Sequence, residues 1–101
     1  MKKILLVCAA GMSTSMLVKK MKESADKRSI AVEINALSMA EAKEKIAKEG
    51  VDIVLLGPQV RFQRKEIEDV VKGKIPVDVI DMKSYGMMDG ESVLNTALSQ
   101  I

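Results

Sequence analysis

The stretch Ile4-Leu5-Leu6-Val7-Cys8-Ala9-Ala10-Gly11-Met12-Ser13-Thr14-Ser15-Met16 changes character at the chain's single cysteine. Lys2–Cys8 is a short aliphatic run, too brief for a helix, and reads as a strand buried on both faces. Small and hydroxylated residues follow, the composition of a tight loop. From Ser13 to about Arg28, Thr14, Leu17, Val18, Met21 and Ala25 share one helical face. A buried strand, a small-residue loop and an amphipathic helix thus open the chain.

The same alternation continues to the end. Ala31–Leu37 places Val32, Ile34 and Ala36 against Glu33 and Asn35, the pattern of a half-exposed strand. Ser38-Met39-Ala40-Glu41 is a capping box that opens a helix carrying Met39, Ala42 and Ile46. Gly50 is placed to end that helix. Val51–Leu56 is a second wholly apolar run, stopped by Gly57-Pro58. A helix with Val60, Ile67, Val70 and Val71 inward is expected next, broken between Gly73 and Pro76. Val77–Ile80 is a short strand whose Asp78 suggests a sheet edge. Asp89 caps a last helix with Val93, Leu94, Ala97, Leu98 and Ile101 along one stripe.

Strand followed by helix, four times over, predicts an α/β fold with a parallel sheet and helices on both faces. Wholly apolar strands belong in the middle of such a sheet and alternating ones at its edges. The expected order is therefore 2-1-3-4, an open doubly wound four-stranded sheet with right-handed crossovers. Residues 1–101 are expected to form a single domain. The topological switch point lies between strands one and three at their C-terminal ends, where ligands bind in this architecture. Cys8 and Gly57-Pro58-Gln59 both fall there.

Composition narrows the chemistry. Sixteen basic and fourteen acidic residues leave a net charge of +2, and Phe62 and Tyr85 are the only aromatics. That is no footprint for nucleic acid, which calls for a basic face and stacking side chains. The core must be aliphatic, with eight methionines as adaptable fillers. One cysteine excludes an internal disulfide and a cysteine-based zinc cluster, and histidine is absent. No metal or cofactor is expected. Chemistry that needs an imidazole must take it from another molecule.

Lys2-Lys3, an apolar run and Cys8 mimic a lipoprotein signal, but only Ile4–Val7 precede the cysteine. A secretory core needs about 7–15 apolar residues, and a membrane span about 20. The expectation is a cytoplasmic chain with no direct membrane insertion.

The cysteine loop is the first candidate site. Ala9, Ala10, Gly11, Met12, Ser13, Thr14 and Ser15 join the end of a central strand to a helix start. Short side chains allow backbone amides to turn inward, and the helix end adds a positive field, so the loop suits an anion such as phosphate. Helix starts also favour the thiolate form of a neighbouring cysteine without a base. A lone cysteine is otherwise usually a small buried hydrophobe, and serines at a helix start are often only caps. Position at the switch point favours the chemical role for Cys8.

Cysteine-dependent phosphatases carry an arginine six residues after the cysteine, where this chain has Thr14. Without that guanidinium nothing stabilises the transferring group bidentately. Asp81 and Asp89 are only sequence-distant candidates for the acid that a leaving alcohol needs. A redox module has no second cysteine within C-x-x-C reach. A phosphatase-like enzyme and a redox or anion-binding module stay as alternatives to capture and hand-over of a phosphoryl group.

The segment from Leu6 to Val18, built on Cys8-Ala9-Ala10-Gly11-Met12-Ser13-Thr14-Ser15, resembles the active-site region of IIB components of the bacterial sugar phosphotransferase system. The likeness is to the lactose/cellobiose (chitobiose) class. Val54-Leu55-Leu56-Gly57-Pro58-Gln59, Pro76-Val77-Asp78-Val79-Ile80-Asp81 and Tyr85-Gly86-Met87-Met88-Asp89-Gly90 extend it in collinear order over nearly the whole chain. The resemblance implies a four-stranded parallel sheet and a phosphocarrier. In that reading Cys8 takes a phosphoryl group from a phosphohistidine of the IIA component. It passes the group to a sugar, of β-glucoside/cellobiose, chitobiose or lactose type, on the membrane component IIC. This is the reaction of a protein-phosphocysteine–sugar phosphotransferase.

A relay domain needs apolar surface for docking. In the third helix Phe62 lies about 140° from the inward Ile67, at ~100° per residue. Met16 adjoins the cysteine loop, and Met87 and Met88 flank another connection at the same end of the sheet. These four are the expected docking rim around Cys8.

Overall fold

The computed structural model describes residues 2–8, 12–48 and 50–101. Four strands, β1 (Lys2–Val7), β2 (Val32–Leu37), β3 (Ile53–Leu56) and β4 (Val77–Val79), form one parallel sheet. Its order is β2-β1-β3-β4, the expected one. Val7 pairs with Leu37 on one side and Leu56 on the other, and Leu56 in turn with Val79. The two central strands are aliphatic because both of their faces are covered. Ile4, Leu6, Ile53 and Leu55 point into one core, and Leu5, Val7, Val54 and Leu56 into the other.

The first core is closed by α1 (Met12–Lys27) and α5 (Gly90–Leu98) through Leu17, Val18, Met21 and Ala25 against Val93, Leu94 and Ala97. Gly90 sets how closely these helices approach. A Cβ there would stand 2.5 Å from the Lys20 carbonyl carbon and 2.6 Å from the Met21 nitrogen. The second core is closed by α2 (Met39–Lys48) and α3 (Arg64–Val71) through Ala42, Ile67 and Val71. The capping box at α2 is present: Ser38 Oγ accepts from the Glu41 N–H at 3.4 Å and donates to Glu41 Oε1 at 2.9 Å. Gly50 follows α2 with a φ of 77°, the left-handed conformation that ends helices.

Three features depart from the expected pattern. A short helix α4 (Met82–Gly86) stands between β4 and α5. Its N-cap is Asp81, whose carboxylate accepts from the Ser84 N–H at 3.1 Å. Five residues are too few to show a helical period, so only the cap could have announced it. Second, the helix expected straight after Gly57-Pro58 begins as a 3-10 segment (Pro58–Gln63), with Val60 at φ −117° interrupting it before α3. Pro58 stands at its first position, where a missing N–H costs nothing, and the interruption comes at Val60. Val60 is nevertheless buried in the second core, as its apolar character required. Third, β3 starts at Ile53 rather than Val51. Asp52 leaves the strand to accept the Lys3 N–H through Oδ2 at 2.7 Å, while its own N–H donates to the Lys3 carbonyl at 2.9 Å.

Candidate functional site

In a parallel sheet all strands end on the same side, and the ladders here run one residue past the strands. The Cys8 N–H donates to the Leu37 carbonyl at 3.2 Å, Gly57 N–H to Val7 at 2.8 Å, and Ile80 N–H to Leu56 at 2.8 Å. Cys8, Gly57 and Ile80 therefore form one row at the C-terminal edge, with Cys8 and Gly57 on the two central strands. Helix α1 begins at this edge with no acidic residue in its first turn, so its positive end adds a field that favours an anion.

Cys8 is a free thiol and only 2% exposed. The rest of the cysteine loop is less fully described. Ala9, Ala10 and Gly11 lie outside the described residues, as do the side chains of Met12, Ser13 and Thr14. What is described is that α1 starts at Met12, four residues after Cys8, with Ser15 exposed in its first turn.

The two carboxylates that a phosphatase mechanism would have to recruit are both committed elsewhere. Asp81 caps α4. Asp89 caps α5, accepting from the Ser92 N–H at 3.1 Å and from the Ser92 hydroxyl at 2.9 Å. Those two bonds, the backbone one foremost, hold the Asp89 carboxyl below its ordinary 3.8. A carboxylate held ionised at neutral pH has no proton to give a leaving alcohol. Among the described residues no three cysteine, aspartate or glutamate side chains are gathered as a metal site.

Of the expected rim, Phe62 is 79% exposed, Met87 67% and Met16 51%. Phe62 lies in the 3-10 segment rather than in the helix, and it still points to solvent. Met88 differs: it is half-buried against the core formed by α1 and α5, at a left-handed φ of 53°. The expected surface pair is therefore split, with Met87 exposed and Met88 packed inward. The hairpin-like turn between α4 and α5 sends the two neighbours in opposite directions. Met82 is also exposed, at the start of α4, a helix too short for its sequence to announce.

Comparison with known proteins agrees with this architecture. The family model described as "PTS system, Lactose/Cellobiose specific IIB subunit" matches residues 3–96. The oligo-beta-mannoside-specific EIIB component of Bacillus subtilis is 48% identical over 100 residues, covering 98% of this chain and 95% of its own. The cellobiose-specific EIIB component of Lactococcus lactis is 45% identical, covering 95% and 93%. Among solved structures, the cellobiose-specific IIB protein of Borrelia burgdorferi superposes with a TM-score of 0.79 at 42% identity, covering 98% of this chain and 90% of that one. The lactose-specific IIB domain of Streptococcus pneumoniae gives a TM-score of 0.85 at 20% identity, a likeness of fold that covers 98% and 96%. No described helix is long and apolar enough to cross a membrane. The chain belongs to the lactose/cellobiose-specific IIB family of the sugar phosphotransferase system.

Proposed function

We propose that Cys8 is the phosphoryl carrier of this IIB protein. The observation that carries the reading is its place at the end of a central strand, at the switch point, with α1 beginning four residues on. The thiolate attacks the phosphorus of a phosphohistidine on the IIA partner, so that an S–P bond forms as the N–P bond breaks. A sugar hydroxyl held by the membrane component IIC then attacks the same phosphorus. The S–P bond breaks, the thiolate returns, and the hydroxyl proton leaves to a base outside this chain, which has no histidine.

Two features support a relay over a hydrolase. Thr14 stands where a phosphatase needs its arginine, and Asp81 and Asp89 serve as helix caps. The burial of Cys8 suits a thiol that reacts in a docked complex and is otherwise kept from water. Residues 9–15 are the proposed phosphate cradle, and Met16, Phe62 and Met87 the proposed contacts for the partner proteins. The whole chain is proposed to act as one cytoplasmic domain. Relatives named for oligo-β-mannoside, galactose and cellobiose stand at 45–48% identity. Such even likeness fits a carrier whose sugar is chosen by IIC.

Incubation with phosphoenolpyruvate and the upstream phosphotransfer proteins, followed by mass spectrometry, tests the proposal. Wild type is expected to gain one phosphoryl group on Cys8, and Cys8→Ser to stay unmodified or form an inert ester. No adduct with a competent donor would overturn it.

A further inference from the structure

Gln59 stands at the junction of β1 and β3, and its side chain does not simply run out into solvent. Gly57 has φ −64° and ψ 153°, extended backbone that any residue adopts, so the chain path does not demand glycine there. Its N–H donates to the Val7 carbonyl at 2.8 Å, which places it beside the residue preceding Cys8. A Cβ at Gly57 would meet Gln59 Oε1 at 3.2 Å, the Val7 carbonyl oxygen at 3.5 Å and Tyr85 Cε2 at 3.7 Å. Only the first of these is tighter than ordinary contact. Gln59 therefore folds back from the 3-10 segment over Gly57, and its carboxamide uses the space that a side chain at 57 would take.

The turn that presents Gln59 is held from three sides. The Val60 N–H donates to the Gly57 carbonyl at 3.0 Å, and Arg61 Nη1 donates to the Pro58 carbonyl at 3.3 Å. Val60 itself is buried in the core beneath. Gln59 remains exposed, so the carboxamide fills no core and keeps its hydrogen-bonding capacity at the edge that carries Cys8.

We propose that Gln59 contacts the transferring group: its carboxamide NH2 donates a hydrogen bond to a non-bridging oxygen of the phosphoryl group on Cys8, and Gly57 is glycine so that the carboxamide can lie there. The inference rests on the phosphocysteine reading above. It supplies a donor at a site without the phosphatase arginine. A neutral carboxamide orients a dianion and adds no charge to draw water onto the phosphorus. The proton stays on Gln59 throughout, while the phosphoryl group moves from imidazole nitrogen to sulfur and then to sugar oxygen.

The test compares wild type with Gln59→Leu, Gln59→Glu, Gly57→Ala and the Gly57→Ala/Gln59→Leu double variant. Transfer from phosphorylated IIA is timed by rapid quench, and melting temperature is measured alongside. Loss of one donor to a charged group predicts roughly tenfold slower transfer for Gln59→Leu. Gly57→Ala is expected to match it, since it displaces the same carboxamide, and the double variant to be no slower than either single one. Gln59→Glu, which adds a repelling charge, is expected to be slowest, with all melting temperatures near wild type. In NMR spectra the Gln59 side-chain amide signals are expected to shift when wild type is phosphorylated, a change that a purely structural role would not produce. A phosphorylated wild type without that shift, and a Gln59→Leu variant as fast as wild type, would overturn this inference alone. A wild type that takes no phosphoryl group overturns the carrier reading and this inference with it.

Discussion

Arg64 donates from Nη2 to the backbone carbonyl of Val77 at 2.9 Å, so the first residue of α3 closes part of the open edge of β4. The bonds from Val54 N–H to Pro76 O and from Ile80 N–H to Leu56 O turn the even-numbered residues of β4 toward β3. Val77 and Val79 thus offer their backbone groups outward. Asp78 covers a second one, its Oδ1 accepting the Val79 N–H at 2.8 Å. An unpaired edge is a template for pairing with another chain, and side chains folded onto it block that route.

Removing these covers should therefore act twice. Arg64→Ala is expected to cost about 1 kcal/mol in urea unfolding, the worth of one hydrogen bond. The Arg64→Ala/Asp78→Ala double variant is expected to form larger species than wild type with rising concentration in sedimentation velocity. An unchanged distribution would show that the edge needs no such cover.

The Gly90 contact predicts a larger effect. Gly90→Ala places a methyl group against the Lys20–Met21 backbone of α1, atoms that move only with the helix. Overpacking of this kind costs about 1–3 kcal/mol, and the rigid partner puts this site at the upper end. Thermal melting should show it, with the α-helical circular dichroism of the folded state retained.

Lys72 supplies the opposite case. It caps α3 at φ 54° and is exposed, and left-handed backbone is costly for a residue with a Cβ. Lys72→Gly is expected to stabilise the protein by about 0.5–1 kcal/mol in the same unfolding assay, since glycine adopts this conformation freely.

Asp89 gives the pH dependence. Its carboxyl titrates lower in the folded chain than the ordinary 3.8, because the Ser92 N–H and hydroxyl favour the charged form. The folded state therefore binds fewer protons than the unfolded state between those values. The stabilisation is complete above about 3.8 and fades as pH falls through the lowered folded value. Asp89→Asn keeps an acceptor for the cap without the charge. The stability difference between wild type and Asp89→Asn is expected to be flat from pH 7 to 5 and to shrink toward pH 2. A difference that grew on acidification would contradict the assignment.

How far these features were legible in sequence depends on how local their causes are. The sheet order could be read because double-sided burial demands unbroken aliphatic runs, and only Ile4–Val7 and Ile53–Leu56 meet that demand. Cys8 could be placed for the same reason, as the residue after a central strand. The helix α4 was hidden, since Asp81 with Ser84 marks a start but five residues show no period. The opposite fates of Met87 and Met88 depend on the left-handed turn at Met88, which no methionine signals. Likewise, a glycine at 57 or 90 announces only that something comes close. The atoms that come close, Gln59 Oε1 and the Lys20 backbone, belong to elements that meet it only in the fold.

Phe62 carries the last prediction, because its exposure separates docking from folding. A 79% exposed phenylalanine contributes little to the core, so Phe62→Ser is expected to change unfolding free energy by less than about 0.5 kcal/mol. As an aromatic anchor at an interface it would be worth about 1–2 kcal/mol on truncation, roughly tenfold in affinity. Phosphotransfer from IIA to Phe62→Ser should then need about tenfold more partner for half-maximal rate, with the rate at saturation retained. Adding Met16→Ser should deepen the loss, since Met16 is exposed in the first turns of α1. Met88→Ser supplies the contrast: packed on the core, it should lower stability and leave the apparent affinity for IIA as it was. If Phe62→Ser and Met16→Ser together leave the concentration dependence of transfer unchanged, the partner docks elsewhere.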